Sequence, residues 1–353
     1  MPHRSHTTEE MRFLRIRLIG WYGFRATGDD LIAWSTKRLF RRRGQEMGIQ
    51  VDFTNDGDAD LMVVGGGTII GCDSAGICER IDRLSSPVAV FGPGFRNMGE
   101  EACQMWQPAM KTLFDRAVGT GVRGPVTAWQ LKHYQMATNV VAVGDPAVWF
   151  ERIPAPQRSS KGKTVGICIR EMRNEGVEER YLPSNKVYER FAKLLPELLK
   201  LYEAEPVFLS FCENQFDSDT QGAEKLRSML PEKYQDAPII PYSDNVRYVG
   251  RIIGQMDYLI SERMHPTIIA WVQGKPCIAI DYQYRKTEDF MEGIGFPEYC
   301  IRIDDLDVNE YMDKLALLRK EQASIVQKSR DVFSYQRHLQ EELASQILER
   351  TCG

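Results

Sequence analysis

Four side chains, three basic and one imidazole, have the chemistry to act on an anionic substrate. The stretch Ser261–Lys286 holds Arg263, His265 and Lys286, and Arg123 lies upstream in GTGVRGPVTAW. A guanidinium fork binds a phosphate or carboxylate through two hydrogen bonds, and an ammonium adds a point charge. An imidazole transfers protons near neutral pH. Together these residue types predict an anion-binding site with acid–base chemistry.

His265 lies where one apolar run ends and the next begins. The runs Tyr258–Ile260 and Ile268–Val272 predict a buried strand and a buried helix, and Pro266 suits the first helical turn. The residue before a proline avoids the helical region, so we expect His265 at the boundary. The helix dipole and the neighbouring Arg263 disfavour a protonated imidazole until an anion binds. A purely structural histidine is the alternative.

Further candidates flank these four residues. Arg170 follows the predicted strand GICI and is expected on the opposite wall of the same cleft. Asp29, in the turn GDD, could contact substrate hydroxyls. Glu262 and Tyr282 are neighbours of the basic residues and are expected to bind substrate.

Several candidates also have a plain structural interpretation. Asp29 could cap the helix that it opens, and Arg123 could form a salt bridge between domains. Lys286 could be a solvated helix residue. Asp145 precedes Pro146, and we favour an Asx-type turn for it.

Three consecutive glycines, Gly65, Gly66 and Gly67, follow the apolar strand Leu61–Val64. Glycine permits positive φ and close approach of backbone amides to a ligand. The spacing is neither G-x-G-x-x-G nor a P-loop. The glycines therefore predict a ligand-facing turn, with a tight strand-to-helix turn as the alternative.

The elements that must position these residues predict two doubly wound, Rossmann-like α/β domains, because short apolar runs alternate with helical patterns. We predict a first domain at residues 11–155, a linker at 156–163 and a second domain at 164–305. Residues 306–353 are predicted to be helical and able to cross back to the first domain. Ligands of such folds bind outside the carboxyl ends of the strands, which predicts a site in the cleft.

Composition excludes several classes of function. The formal net charge of −4 provides no basic field for nucleic acid. No run of about 18 apolar residues occurs, so we expect no transmembrane segment, and the polar N-terminus has no signal-peptide pattern. The eight cysteines are scattered without C-x-x-C spacing, which favours reduced thiols in a cytoplasmic protein and no metal site. Oligomeric state cannot be read from the sequence.

The ordered set of these segments resembles the polysaccharide pyruvyl transferase family over roughly residues 15–300. The N-terminal matches are a Gly-Asp turn, a strand ending in three glycines and a hydrophobic-Arg turn, here Gly28-Asp29, Asp60 to Gly67 and Val122-Arg123. The C-terminal matches are an Arg-x-His helix start, a Gly-x-Pro strand, a tyrosine and a lysine, here Arg263, His265, Gly274, Pro276, Tyr282 and Lys286. Departures are Pro266 at a position where small residues are common, VRGP for an Arg-acid pair, and an extra residue before Lys286.

The resemblance implies a glycosyltransferase-B-like fold, and transfer of pyruvate from phosphoenolpyruvate to two hydroxyls of a sugar. The product would be a cyclic ketal, with release of phosphate. His265, Arg123 and Lys286 are the expected catalytic residues, with His265 as proton donor. Arg263 and Arg170 would add positive charge, and Asp29 or Glu262 would accept hydroxyl protons. No cofactor is implied.

The acceptor, free or lipid-linked, is not encoded in any motif that we can interpret. A lipid-linked acceptor would place this cytoplasmic protein peripherally at the inner membrane face. Two alternatives stay open, a nucleotide-sugar glycosyltransferase of the same architecture and a non-catalytic sugar-binding member. No clear ribose-binding glutamate follows the histidine region, which disfavours the first, and the retained cations disfavour the second.

Overall fold

The protein was analysed as a computed structural model that describes residues 12–55, 58–71, 86–96, 99–152, 162–172 and 182–353. The predicted domain boundaries stay predictions, and residues 156–161 of the predicted linker lie outside the described residues. The loop GCDSAGICER (residues 71–80), whose sequence does not indicate the acceptor, also lies outside them except for Gly71.

The first half of the chain builds a parallel sheet in the order β2-β1-β3-β5-β7-β8. Its strands, with two short ones that pair separately, are β1 (Arg12–Ile19), β2 (Ile49–Phe53), β3 (Leu61–Val64), β4 (Ile70–Gly71), β5 (Val88–Phe91), β6 (Phe95–Arg96), β7 (Ala117–Val122) and β8 (Val141–Ala142). Every residue of β3 and β5 is buried, as expected for central parallel strands that are covered on both faces. The described helices of this half are α1 (Thr27–Glu46), α2 (Glu100–Arg116) and α3 (Pro125–His133).

The second half builds a four-stranded parallel sheet in the order β13-β11-β9-β14, with β15 and β16 as a separate parallel pair. Its strands are β9 (Lys163–Cys168), β10 (Glu171–Met172), β11 (Ala204–Leu209), β12 (Asp217–Ser218), β13 (Ile239–Ile240), β14 (Tyr258–Ser261), β15 (Ala279–Asp281) and β16 (Cys300–Arg302). Its helices are α4 (Ser184–Tyr202), α5 (Asp219–Ser228), α6 (Val246–Gln255), α7 (Met264–Val272) and α8 (Lys286–Gly293). The predicted fold of parallel α/β sheets is confirmed.

The last helix, α9 (Val308–Cys352), is 45 residues long and contacts both halves. Near its start, the hydroxyl of Tyr311 is 3.0 Å from that of Tyr258 in β14. Near its end, Leu343 and Ile347 pack into the core of the first sheet, against the faces of Gly119 and Gly121 in β7. The absence of side chains on these two glycines lets the helix approach the strand.

Gly44 and Pro266 are each accommodated within a helix. Helix α1 continues past Gly44 and ends at Glu46. A Cβ on Gly44 would lie 2.5 Å from Val51 Cγ2, so this glycine lets the helix pack on β2. His265 was expected at the boundary between strand and helix, and it is the second residue of α7, with Arg263 as the N-cap. Backbone N–H groups in a first turn have no helical acceptor, so the proline that follows removes no hydrogen bond.

Among the described residues, no helix is both long enough and apolar enough to span a membrane.

Candidate functional site

A cavity of about 510 Å³ lies at the carboxyl ends of strands from both halves. Arg123 follows β7, Arg170 follows β9 and Arg263 follows β14, so the strand ends converge as expected for this fold class. The sequence-predicted residues that border the cavity are Asp29, Gly67, Arg123, Arg170, Arg263, His265, Tyr282 and Lys286.

The Arg123 guanidinium is buried in the cavity wall without a hydrogen bond. The residue is 2% exposed, and none of its three side-chain nitrogens has a hydrogen-bond partner in the described part of the chain. Asp145 Oδ2 lies 2.9 Å from Arg123 Nε, but the N–H direction falls outside hydrogen-bond geometry. A Cβ on Gly94 would lie 2.6 Å from Arg123 Nη1, so this glycine makes room for the guanidinium. The four N–H donors of its two terminal nitrogens are therefore held ready for an anion.

Asp145 organises the neighbourhood of Arg123. Its Oδ1 accepts a hydrogen bond of 2.8 Å from the backbone N–H of Ala147, which is the Asx-type turn that the sequence predicted. Its Oδ2 faces Arg123 and lies 3.9 Å from His265 Nε2. One carboxylate thus holds its own turn and faces both candidate catalytic groups.

The imidazole of His265 packs directly on Gly28 of α1. A Cβ at residue 28 would lie 2.0 Å from His265 Nδ1, closer than atoms can approach. The Gly-Asp turn and the histidine, more than two hundred residues apart in sequence, are therefore complementary surfaces of one site.

Burial lowers the pKa of His265 to about 4. The Asp145 carboxylate opposes that shift, and the cations of Arg123 and Lys286 reinforce it. The imidazole is therefore neutral at pH 7 in the absence of a ligand. An anion bound among these cations would cancel their repulsion and raise the pKa of His265.

Arg170 and Arg263 border the same cavity, but carboxylates occupy their donors. Arg170 donates to Asp217 through Nε at 2.6 Å and Nη2 at 3.0 Å, and its Nη1 donates to Gln283. Arg263 donates to Asp219 through Nε at 3.0 Å and Nη2 at 2.6 Å. Both arginines shape the cavity wall and retain little capacity for a ligand.

Lys286 begins α8 and projects into the cavity beside Tyr282. Its Nζ donates to the hydroxyl of Tyr282 and, at 3.3 Å, to Gln283 Oε1. Gln283 also accepts from Arg170, so this amide links the two cations. Tyr282 and Gln283 are neutral groups, so these two contacts do not offset the positive charge of the ammonium.

Asp29 lies in the first turn of α1, beside Gly67. Burial raises the pKa of Asp29 to about 7, against the opposing effects of Lys286 and Arg123. A carboxylate with a pKa near neutrality can accept and release protons at working pH. Asp29 borders the cavity, as predicted, but it does not cap α1, whose N-cap is Ala26 and which has no side-chain capping hydrogen bond.

Three sequence-predicted residues do not border the cavity. Glu262 is fully buried, and its Oε2 accepts a 3.0 Å hydrogen bond from the backbone N–H of Arg170. It supports the wall instead of facing substrate. Gly65 and Gly66 pack against Phe91 and Tyr22 respectively, so of the three glycines Gly67 alone reaches the cavity.

Sequence reasoning missed residues that the fold brings to the site from a distance. Asp217 and Asp219 come from β12 and the start of α5, and Arg96 from β6 is a further cation of the cavity wall. An aromatic group, Trp21 with Phe24 and Phe216, stands at one side of the cavity, with ring centroids 5.3 and 6.5 Å from Trp21. The short spacing DSD at residues 217–219 was a signal that could have identified the acidic partners.

Asp289 joins the two halves beneath the cavity. From α8 it accepts hydrogen bonds from the backbone N–H groups of Val126 and Thr127, at 2.8 and 3.1 Å, and from the Thr127 hydroxyl. It therefore caps α3, which starts two residues after Arg123. Burial raises the pKa of Asp289 to about 6, against the effect of these hydrogen bonds.

Solved structures with similar folds include sugar-nucleotide enzymes. The UDP-GlcNAc 2-epimerase of Methanocaldococcus jannaschii, in complex with UDP-GlcNAc and UDP, has a TM-score of 0.52 and 12% identity, and the match covers 86% of this chain and 92% of that one. Anabaena HepE, in complex with UDP, has a TM-score of 0.54 and 12% identity, covering 97% and 99%. At such identities the likeness concerns the fold alone, and it confirms the glycosyltransferase-B-like architecture.

A family model described as polysaccharide pyruvyl transferase matches residues 26–284. The match covers most of the 353 residues and includes every residue of the cavity wall except Trp21, Phe24 and Lys286.

Proposed function

The chain belongs to the polysaccharide pyruvyl transferase family, and we propose that it moves a pyruvyl group from phosphoenolpyruvate to two hydroxyls of a sugar. The product is a cyclic ketal, and phosphate leaves. The observation that carries this proposal is the buried Arg123 guanidinium, which lacks hydrogen bonds and lies beside a neutral imidazole. The acceptor is a free or lipid-linked sugar, and the reaction takes place in the cytoplasm.

The donor carries a phosphate and a carboxylate, and the cavity offers cations for both. Arg123 has unengaged donors, and Lys286 has neutral partners. Arg96 adds positive charge from β6. Arg170 and Arg263, whose charges Asp217 and Asp219 offset, are not the principal anchors in this proposal. They hold the wall against which the donor binds.

His265 supplies the proton that starts the reaction. Binding of the anionic donor raises the pKa of the imidazole, which takes up a proton and transfers it to the methylene carbon of the enol. Positive charge then develops on the adjacent carbon, and the first sugar hydroxyl attacks it. Loss of phosphate regenerates the cationic carbon, which the second hydroxyl attacks to close the ketal.

Asp29 is the group that accepts hydroxyl protons in this proposal. Its pKa of about 7 suits a general base at neutral pH, whereas Glu262 is buried and does not border the cavity. The protons balance over the whole reaction. The two hydroxyls lose two protons in total. One replaces the proton that converts the methylene to a methyl group, and the other leaves on the phosphate as hydrogen phosphate.

The test combines phosphate release with detection of the ketal. The full chain is mixed with phosphoenolpyruvate and a panel of glycosides, and free phosphate and the ketal methyl group (by NMR) are measured. We expect one phosphate per ketal and no release without acceptor. Arg123→Gln should lower kcat/KM for the donor about 10–100-fold, since charge-assisted hydrogen bonds are lost. His265→Gln should lower kcat about 10²–10⁴-fold.

The matched control for these variants is Arg41→Gln, which removes an exposed arginine of α1 that is 3.7 Å from Asp52. It should leave both parameters unchanged. Two results would overturn the proposal: consumption of nucleotide sugars without use of phosphoenolpyruvate, or phosphate release that needs no acceptor. The first result would favour the glycosyltransferase alternative. Nucleotide sugars are included in the panel because solved structures of similar fold contain UDP.

A further inference from the structure

A second cavity, of about 400 Å³, is lined by five arginines. Arg38 and Arg42 project from α1, and Arg330 and Arg337 project from α9. Arg152 lies in the segment between β8 and β9. No residue is common to the linings of the two cavities. Along α1, Arg38 and Arg42 lie nine and thirteen residues beyond Asp29, which is roughly 14–20 Å at the helical rise per residue. This cavity is therefore separate from the proposed active site.

Acidic neighbours only partly neutralise these arginines. Arg38 pairs with Glu151, which also lines the cavity, and Arg42 pairs with Glu341 and, at 3.9 Å, with Glu46. Arg152 and Arg330 form no ion pair with any acidic side chain in the part of the chain that the structure describes. The lining keeps an excess of positive charge that folding alone would not favour.

The arginines are arranged around an apolar floor. Arg42 and Arg337 lie 4.7 and 5.8 Å from the ring centroid of Trp149, and Phe333 is buried beside them. Arg337 also donates to the backbone carbonyl of Val148 at 2.6 and 2.9 Å. These contacts hold two guanidinium groups in fixed orientations, whereas arginines on an ordinary solvated surface move freely.

We infer that this cavity binds a compact polyanion, specifically a diphosphate group. Guanidinium forks match phosphate oxygens in pairs, and several forks converging on one cavity exceed what a single monoanion can satisfy. The diphosphate is either free or part of a nucleotide. Because its ligands come from α1 of the first half and from α9, which also packs on the second half, the bound anion holds these elements together.

The test is calorimetric titration of the full chain with inorganic pyrophosphate, in the Arg123→Gln background so that the proposed active site contributes little. We expect pyrophosphate to bind this variant and to raise its Tm. Adding Arg152→Gln and Arg330→Gln together, at exposed positions, should weaken binding roughly tenfold or more, since charge-assisted contacts are lost. Arg41→Gln, outside the cavity on the same helix, should change affinity less than about twofold.

Three outcomes would overturn the inference. They are loss of all pyrophosphate binding in Arg123→Gln alone, unchanged binding in the Arg152/Arg330 variant, and equal weakening by Arg41→Gln. A parallel titration with UDP identifies the source of the diphosphate. Comparable affinity for UDP supports a nucleotide, and binding of pyrophosphate alone supports a free diphosphate. The pyruvyl-transfer assay is independent of every one of these results.

Discussion

At the scale of single residues, hydrogen-bond partners separate the cations of the cavity into two groups. Arg170 and Arg263 each donate to a carboxylate through Nε and Nη2, whereas Arg123 has none of its side-chain nitrogens hydrogen-bonded. A buried guanidinium without hydrogen bonds is costly to maintain unless a ligand satisfies it. Arg123 is therefore the residue whose substitution should affect donor binding most.

Gly28→Ala should disable the site while leaving the fold intact. The added Cβ would lie 2.0 Å from His265 Nδ1 and must displace the imidazole. We expect kcat/KM to fall at least about 100-fold, because a small misplacement of a catalytic group has that effect. The matched control is Gly162→Ala, where a Cβ meets nothing within 4 Å. Equal activity of both variants would show that the position of His265 is unimportant.

Asp29→Asn should change how stability depends on pH. The pKa of Asp29 is raised to about 7, so the folded protein keeps a proton that the unfolded chain releases. That stabilisation is complete below the unfolded pKa of about 4 and is lost as pH rises through 7. The variant cannot ionise at this position. Relative to wild type, its free energy of unfolding should therefore rise by on the order of 2–4 kcal/mol as the pH increases from 4 to 8. Urea unfolding at both pH values measures this, and a constant difference would contradict the raised pKa.

Much of the site was predictable at this scale, because strand ends and glycine turns are visible in sequence. Arg123 and His265 follow apolar runs, and the fold brings both to the cavity. The pairing of Arg170 with Asp217 was not predictable, since it depends on where a loop some 47 residues away returns. Asp145 was interpreted as a turn residue, and it is one, but its second oxygen faces the site.

At the scale of elements, Asp289 connects the helix that begins with Lys286 to the helix that starts two residues after Arg123. It lies in α8, which begins with Lys286, and its carboxylate caps α3, which closely follows Arg123. The distance between the two cations therefore depends on a capping interaction between the halves of the molecule. No local sequence pattern predicts it, because cap and helix lie 163 residues apart.

Asp289→Ala should raise the KM for phosphoenolpyruvate more than it lowers kcat, since it releases α8 from α3 without removing a group that touches substrate. It should also cost about 1–3 kcal/mol of stability, because buried N–H groups lose their acceptor. Asp289→Asn keeps one acceptor oxygen and should restore most of the KM. Asp313→Ala, at an exposed position of α9, is the control. A loss of stability with unchanged KM would limit Asp289 to a structural role.

At the scale of the whole molecule, α9 joins both halves. Its first part contacts β14 and its last turns pack on the first sheet. The sequence predicted helix here, and the alternation of strands and helices predicted the parallel sheets. The order of the strands was not derivable, because it depends on contacts between distant segments.

Ile347→Ala should lower the free energy of unfolding by about 2–4 kcal/mol, the usual cost of a buried cavity. Ile347 is fully buried against Gly119, whereas Leu317 on the same helix is 43% exposed. Leu317→Ala should therefore cost less than about 0.5 kcal/mol. Urea midpoints compare the two variants, and equal midpoints would show that the end of α9 contributes nothing to the core.

The most direct test of the central claim is the number of protons taken up when phosphoenolpyruvate binds. Calorimetric titrations at pH 7 in two buffers of different ionisation enthalpy give this number, without knowledge of the acceptor. Because His265 has a pKa of about 4 in the free protein and a bound anion raises it, we predict net proton uptake. The uptake should decrease in His265→Gln, and binding should weaken in Arg123→Gln. Binding without proton uptake, or no binding of phosphoenolpyruvate where a nucleotide sugar binds, would contradict the proposed function.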